Sequence, residues 1–155
     1  MIELLDHNSG TVADEIYTVF QRSYAVEAGL VGVEDFPPLR RSAANIRTSK
    51  SQFLGERVDA KLAAAVEFLQ DGDDLSIDSL VVHPDYFRRG LASRLLQALL
   101  ANETWKCADV ETAAANKPAL LLYEKLGFTE SKRWQTVDGV EKVQLLRRKT
   151  VADDR

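Results

Sequence analysis

Three strand-type runs in succession, from Ser51 to Val82, constrain this chain more than any other feature. "SQFLGERVD" runs to a turn at Asp59, "AKLAAAVEFLQ" follows, and "DGDD" separates it from "LSIDSLVV". Apolar runs of this length between turn signals predict an antiparallel meander. Pro84 ends the third run, because proline cannot donate to a strand ladder. Everything else must pack around that sheet.

Before the meander, "IELLD" predicts a short opening strand. Val12, Ile16, Val19, Phe20 and Tyr24 then keep to one helical face, with Thr11 as the cap and Asp14 three residues on. "GLVGVEDFPPLRRS" interrupts that helix with glycines and a Pro-Pro pair, giving an ordered loop. A short helix from about Arg40 to Thr48 follows. After the meander, Leu91, Leu95, Leu96, Leu99 and Leu100 mark a helix from Gly90 to about Asn102, buried along a broad face. "CADVETA" is strand again. Pro118 suits the first turn of another helix, which Gly127 closes. "FTESKRWQTV" and "VEKVQLLRRK" around the turn "DG" predict a final hairpin. The order β-α-α-β-β-β-α-β-α-β-β describes one mixed α/β domain over residues 1–149, with 150–155 as a frayed tail.

Composition removes several function classes. A net charge of −4 argues against a nucleic-acid partner, which needs a concentrated basic face. Cys107 is the only cysteine, so no intramolecular disulfide forms, and its place in a strand favours a buried structural role over a reactive one. With His7 and His83 the only histidines, a Cys/His zinc site lacks ligands, and no metal is expected. "MIELLDHNSG" lacks the basic lead and apolar core of a signal peptide, and no run reaches the roughly 20 apolar residues of a membrane span. The expectation is a cytoplasmic protein without a membrane partner; a homodimer is left open.

Chemistry concentrates at one junction, "HPDYFRRGLASRLLQALL". A helix N-terminus leaves about four backbone N–H groups unpartnered, and the helix dipole adds to their pull on an anion. Gly90 permits a tight turn, Ala92 and Ser93 leave the first-turn amides uncovered, and Arg88 and Arg89 add charge. A pyrophosphate fits this arrangement. So does the plainer reading of a loop glycine between solvated arginines. "GxxxxGK[ST]" is absent, and a dinucleotide fingerprint fails because only one glycine is present.

The second half decides between them. "VVHPDYFRRGLAS" followed by Asn116 and the pattern N-x-x-A-x-x-L-Y-E-K-L-G-F resembles the GNAT superfamily of acyl-CoA-dependent N-acetyltransferases. The resemblance covers about Leu75 to Phe128 and implies that family's fold, with acetyl-CoA as co-substrate. It places the pyrophosphate on Arg88, Arg89, Gly90, Leu91, Ala92 and Ser93. The pantetheine arm runs beside Leu80, Val81 and Val82 like an added strand, which suits a strand whose neighbour splays away. The same strand amides can polarise the thioester carbonyl. Asn116 matches a residue that contacts the arm, and it also suits a helix cap. Tyr123 matches the tyrosine near the thioester sulfur, with core packing as its alternative. A phenol near 10 and a thiol near 8.5 make full proton transfer uphill by roughly 2 kcal/mol, so Tyr123 assists departure without driving it.

The resemblance implies acetyl transfer to a primary amine by direct attack in a ternary complex, with a catalytically silent acyl-CoA-binding regulatory module as the alternative. Glu111 stands where peptide-acetylating relatives carry a catalytic glutamate; Glu67 and Asp78 could act through water. His83 reads as a loop residue near the cofactor. Trp105 and Trp134 read as packing, although Trp134 could line an acceptor cleft. Phe87 departs from the usual Gln/Arg that opens the phosphate motif. Family members differ most between the first two helices. There, Glu34, Asp35 and Phe36 beside Pro37-Pro38 suit a cationic amine by charge pairing and a cation–π contact, or are simply solvated.

Overall fold

The computed structural model describes residues 1–33, 35–102 and 104–150, the side chain of Asn102 excepted. One seven-stranded sheet runs in the order β1-β2-β3-β4-β5-β7-β6. Its strands are β1 (Ile2–Leu4), β2 (Gln52–Val58), β3 (Lys61–Asp71), β4 (Asp74–Val82), β5 (Cys107–Ala113), β6 (Thr129–Gln135) and β7 (Glu141–Arg148). All pairings are antiparallel except β4 with β5. The expected meander is β2, β3 and β4.

The apolar run of β3 does not alternate because both of its faces are buried. Ala64, Val66 and Phe68 pack with Leu91, Leu95, Leu96 and Leu99 of α3 (Leu91–Asn102) and with Leu120 and Tyr123 of α4 (Lys117–Lys125). On the other face, Ala65 packs with Ile16, Val19 and Phe20 of α1 (Gly10–Val31) and Ile46 of α2 (Ala43–Arg47).

Two helix boundaries differ from the expectation. Helix α1 passes through Gly29 and stops at Gly32, whose φ of +76° and N–H bond to the Ala28 carbonyl form the actual C-cap. An internal glycine costs only about 1 kcal/mol relative to alanine, and burial of the helix face outweighs that. Its first turn also begins earlier: Ser9, not Thr11, is the N-cap. Helix α2 is shorter than expected. Pro37–Arg40 form a separate 3-10 turn, and Ser42 Oγ starts α2 by accepting from the Asn45 N–H at 3.0 Å.

The feature that matters for function is an unfinished ladder. β4 and β5 pair only from Asp74–Ile77 against Cys107–Val110. Opposite β4, Ile77 faces Phe68 and Ser79 faces Glu67, so Asp78 is an extra residue in a β-bulge. A bulge bends its strand and increases the local twist. From Asp78 onward β4 leaves β5, and the sheet opens between them.

Candidate active site

The opening forms a cavity of about 540 Å³. Asp78, Ser79 and Leu80 line one lip, Val110 to Ala113 the other, and Tyr24, Phe36, Pro37 and Pro38 cover it. A second cavity of about 500 Å³ extends to Arg88, Gly90, Leu91, Ala92 and Ser93. Glu27, Leu80, Asn116, Ala119 and Tyr123 line both, so the two meet at these five residues.

The Arg88–Ser93 segment leads into the first turn of α3 through two left-handed residues, Arg88 at φ +64° and Gly90 at +75°. Glycine takes that conformation freely, whereas a non-glycine residue there is uncommon and strained. Successive amides turned in this way make an anion-binding concavity. Arg89 stands apart: its guanidinium lies over the Tyr86 ring at 5.2 Å and does not line the cavity. Phe87 is 41% exposed and forms part of the cavity wall. On β4, Leu80 and Val82 face this cavity, while the Val81 side chain is buried in the core under α1.

Asn116 caps α4, its Oδ1 accepting from the Ala119 N–H at 3.3 Å, and still faces both cavities. The Tyr123 side chain is 4% exposed and packs edge-on against Phe128 at 5.8 Å. Burial, and then the proximity of Tyr24 and Glu27, push its phenol above the ordinary value, so it stays protonated. Glu27 is also raised by burial, against a hydrogen bond with Asn116 and the charge of Lys142.

The three candidate carboxylates have separate fates. Burial alone would raise Glu67, but Arg41 donates to both its oxygens at 2.6 and 2.9 Å. Ser51 and Ser79 donate at 2.5 and 3.1 Å, and the balance holds Glu67 below the carboxylate range. It is a fixed anion with no capacity to take a proton near neutral pH. Asp78, on the bulge, is pushed up to about 6, first by desolvation and then by Glu67, Asp109 and Glu111, with Arg41 opposing. Glu111 lies on the facing lip, exposed.

Of the loop residues between α1 and α2, one expected carboxylate stays away from the cavity. Asp35 has an 80% exposed side chain, pairs with Arg40 at 3.4 Å and stays off the cavity. Phe36 is buried and lines it; Glu34 lies outside the described residues. Glu27 and Tyr24, which the sequence reading did not place in the site, come from one face of α1. Their spacing of three was the available signal. His83 Nδ1 accepts from the Asp85 N–H at 3.1 Å and shapes the turn. Cys107 is half-buried and lines neither cavity. Trp105 is buried, donating to the Leu100 carbonyl at 2.9 Å. Trp134 also lines neither cavity; Thr136, Asp138, Val140 and Lys142 do so from the same hairpin. Among the described residues no group of three or more His, Cys, Asp or Glu could hold a metal, and no helix is long and apolar enough to cross a membrane.

The model of the acetyltransferase (GNAT) family matches residues 13–128. The UPF0157 protein YqkA of Bacillus subtilis (strain 168) is 35% identical over 141 residues, 90% of this chain and 41% of that protein. The [ribosomal protein bS18]-alanine N-acetyltransferase of Escherichia coli (strain K12) is 36% identical over 76 residues, 44% of this chain and 51% of that protein. The chain thus spans about half, or less, of the length of these relatives. The crystal structure of the ribosomal-protein-S18-alanine N-acetyltransferase from Escherichia coli superposes with a TM-score of 0.75 at 23% identity, over 96% of this chain and 92% of that one. Salmonella typhimurium yncA, a structure with its cofactor acetyl-CoA, gives 0.74 at 15% identity, over 96% of this chain and 92% of that one. Such low identities speak for the fold alone, but the family match spans most of the chain. This chain belongs to the GNAT family of acetyltransferases.

Proposed function

We propose that this chain transfers an acetyl group from acetyl-CoA to a cationic primary amine by direct attack in a ternary complex. The observation that carries the proposal is the split between β4 and β5, with Tyr123 where the two cavities meet. The Arg88–Ser93 amides hold the pyrophosphate, with Arg88 beside it and Arg89 contributing at longer range. The pantetheine arm runs beside Leu80, Val81 and Val82, pairing with the backbone that Leu80 turns toward the split. Val81 stays paired with Ala65 of β3, the Val82 N–H donates to Ser23 Oγ at 3.3 Å, and Asn116 steadies the arm. The acceptor enters under Phe36 and Pro37. Phe36 keeps its place in acceptor binding, and Glu27, Asp78 and Glu111 supply the negative charge that Asp35 does not bring to the cavity.

The amine must lose a proton before its nitrogen attacks the thioester carbon. Asp78 and Glu111 receive it from opposite lips, through water, and Asp78 is tuned closest to the working range. The C–S bond then breaks, and the Tyr123 hydroxyl donates a hydrogen bond to the departing sulfur. Because burial raises its phenol, full transfer is uphill by more than the roughly 2 kcal/mol of the unperturbed groups.

The test is release of free thiol from acetyl-CoA against a panel of amines, including a peptide that begins with alanine, as the name of the bS18 relative suggests. CoA binding with no thiol release for any amine would leave a silent binding module instead.

Two substitutions probe details. Asp78→Asn is expected to lower kcat/KM about 10- to 100-fold and to remove the acid limb near pH 6. The same change is expected to raise the Tm above that pH. A carboxyl raised in the folded state favours folding when protonated and penalises it once ionised, so the gain should vanish below about pH 4. Phe87→Gln is expected to leave CoA affinity equal or improved, since it restores a polar group beside the turn. A large loss would assign Phe87 a binding role of its own.

A further inference from the structure

Arg94, one turn into α3, lines neither cavity. Its Nη1 donates to the Arg89 carbonyl at 3.0 Å, and its Nη2 donates to Glu56 Oε1 at 2.9 Å. Glu56 lies on β2 with a side chain only 9% exposed, and its second oxygen, Oε2, is buried without a hydrogen-bond partner. An unsatisfied buried polar atom costs about 1–3 kcal/mol, and more when charged. The Arg94 side chain is 49% exposed, and an ion pair open to solvent on one side adds little to stability, so stability is a poor reason for this carboxylate.

The peptide group supplies a better one. Its C=O and N–H point in opposite directions across a rigid plane. With the Arg89 carbonyl held toward Arg94, the Gly90 N–H is turned to the other side of the turn. Gly90 lines the cofactor cavity and Arg94 does not. The neighbouring Arg88 sits at φ +64°, a conformation that needs support from its surroundings.

We propose that Glu56 and Arg94 brace the phosphate-binding turn from behind, presetting the Gly90 amide for the pyrophosphate of acetyl-CoA. Both are positioning residues. Glu56 fixes the guanidinium plane, and Arg94 spans two acceptors with a fork that lysine cannot reproduce. The inference rests on the acetyl-CoA reading above. It also opposes simple electrostatics: removing an anion behind an anion site should strengthen binding, whereas losing a brace should weaken it.

The test is titration of CoA into the full chain, with kcat/KM for S-acetyl-pantetheine, which lacks the pyrophosphate, as the internal control. Arg94→Gln and Arg94→Lys are expected to weaken CoA binding about 10- to 100-fold, and Glu56→Gln about 3- to 10-fold. Activity with S-acetyl-pantetheine should be unchanged in all three. Equal or tighter CoA binding by Glu56→Gln, or wild-type affinity in Arg94→Lys, would overturn the brace. Equal losses with both donors would also overturn it, by pointing to general damage. Failure of the wild-type chain to bind CoA would instead remove the acetyl-CoA reading itself, and the brace with it.

Discussion

Replacing Gly90 with glutamate is expected to abolish CoA binding while the chain stays folded. Position 90 has a φ of +75°, and a Cβ there would meet its nearest neighbour, Arg94 Nη1, at 3.6 Å. That is ordinary contact, so the fold loses only the left-handed penalty of about 1–2 kcal/mol. The added carboxylate, however, meets the Arg94 guanidinium and brings a negative charge beside the turn proposed to receive a pyrophosphate. Charge repulsion and bulk then act together on the same amides. Gly90→Ala separates the two effects, since it carries the backbone strain without the charge. Titration with CoA, alongside a melting curve, checks both variants. A glutamate variant that bound CoA as tightly as wild type would move the cofactor away from Arg88–Ser93.

The second large effect is expected at Tyr123. Tyr123→Phe should lower kcat by about 10²–10³, the loss of one hydrogen-bond donor to developing negative charge, with little change in CoA affinity. The ring and its edge contact with Phe128 remain, so only the hydroxyl is lost. Because the phenol is raised, it does not titrate in the neutral range, and the deficit should be flat between about pH 6 and 9. A rate equal to wild type across that range would leave Tyr123 as core packing.

What could be read from the sequence was whatever is local. β5 has the bounds expected for it, Cys107–Ala113, because its alternation of apolar and polar residues is local. The Arg88–Ser93 turn, Asn116 and Tyr123 were legible for the same reason, as residues within short motifs. Helix α1 runs past Gly29 because an internal glycine costs less than burial of the helix face returns, a balance that local sequence does not display. The site's other parts come from long-range contacts. Arg41 and Glu67 are 26 positions apart, and nothing near either residue announces the pair. The bulge at Asp78 leaves no local mark either, since it exists only in the register with β3. For Asp35 the sequence leaves acceptor binding and a solvated charge both open, because composition locates a charge on a loop but does not say which way it faces. In the structure the side chain is solvated and off the cavity.

The Arg41–Glu67 pair has a consequence for how this protein can change over generations. Arg41 closes the segment that covers the acceptor cavity, and its guanidinium is also stacked near the rings of Phe20 and Phe53, at 5.4 and 5.8 Å. The cover is therefore fastened to the sheet at one end by an ion pair that accepts no proton itself and touches the proposed chemistry only through its charge on Asp78. Residues 33–38 can be exchanged without loosening that fastening, and the bulge and phosphate turn lie on other elements. In the proposed reaction, acceptor preference is thereby separated from the acetyl-transfer chemistry. A library confined to positions 33–38, with Arg41 and Glu67 held constant, should yield mostly folded variants that differ in which amines they accept.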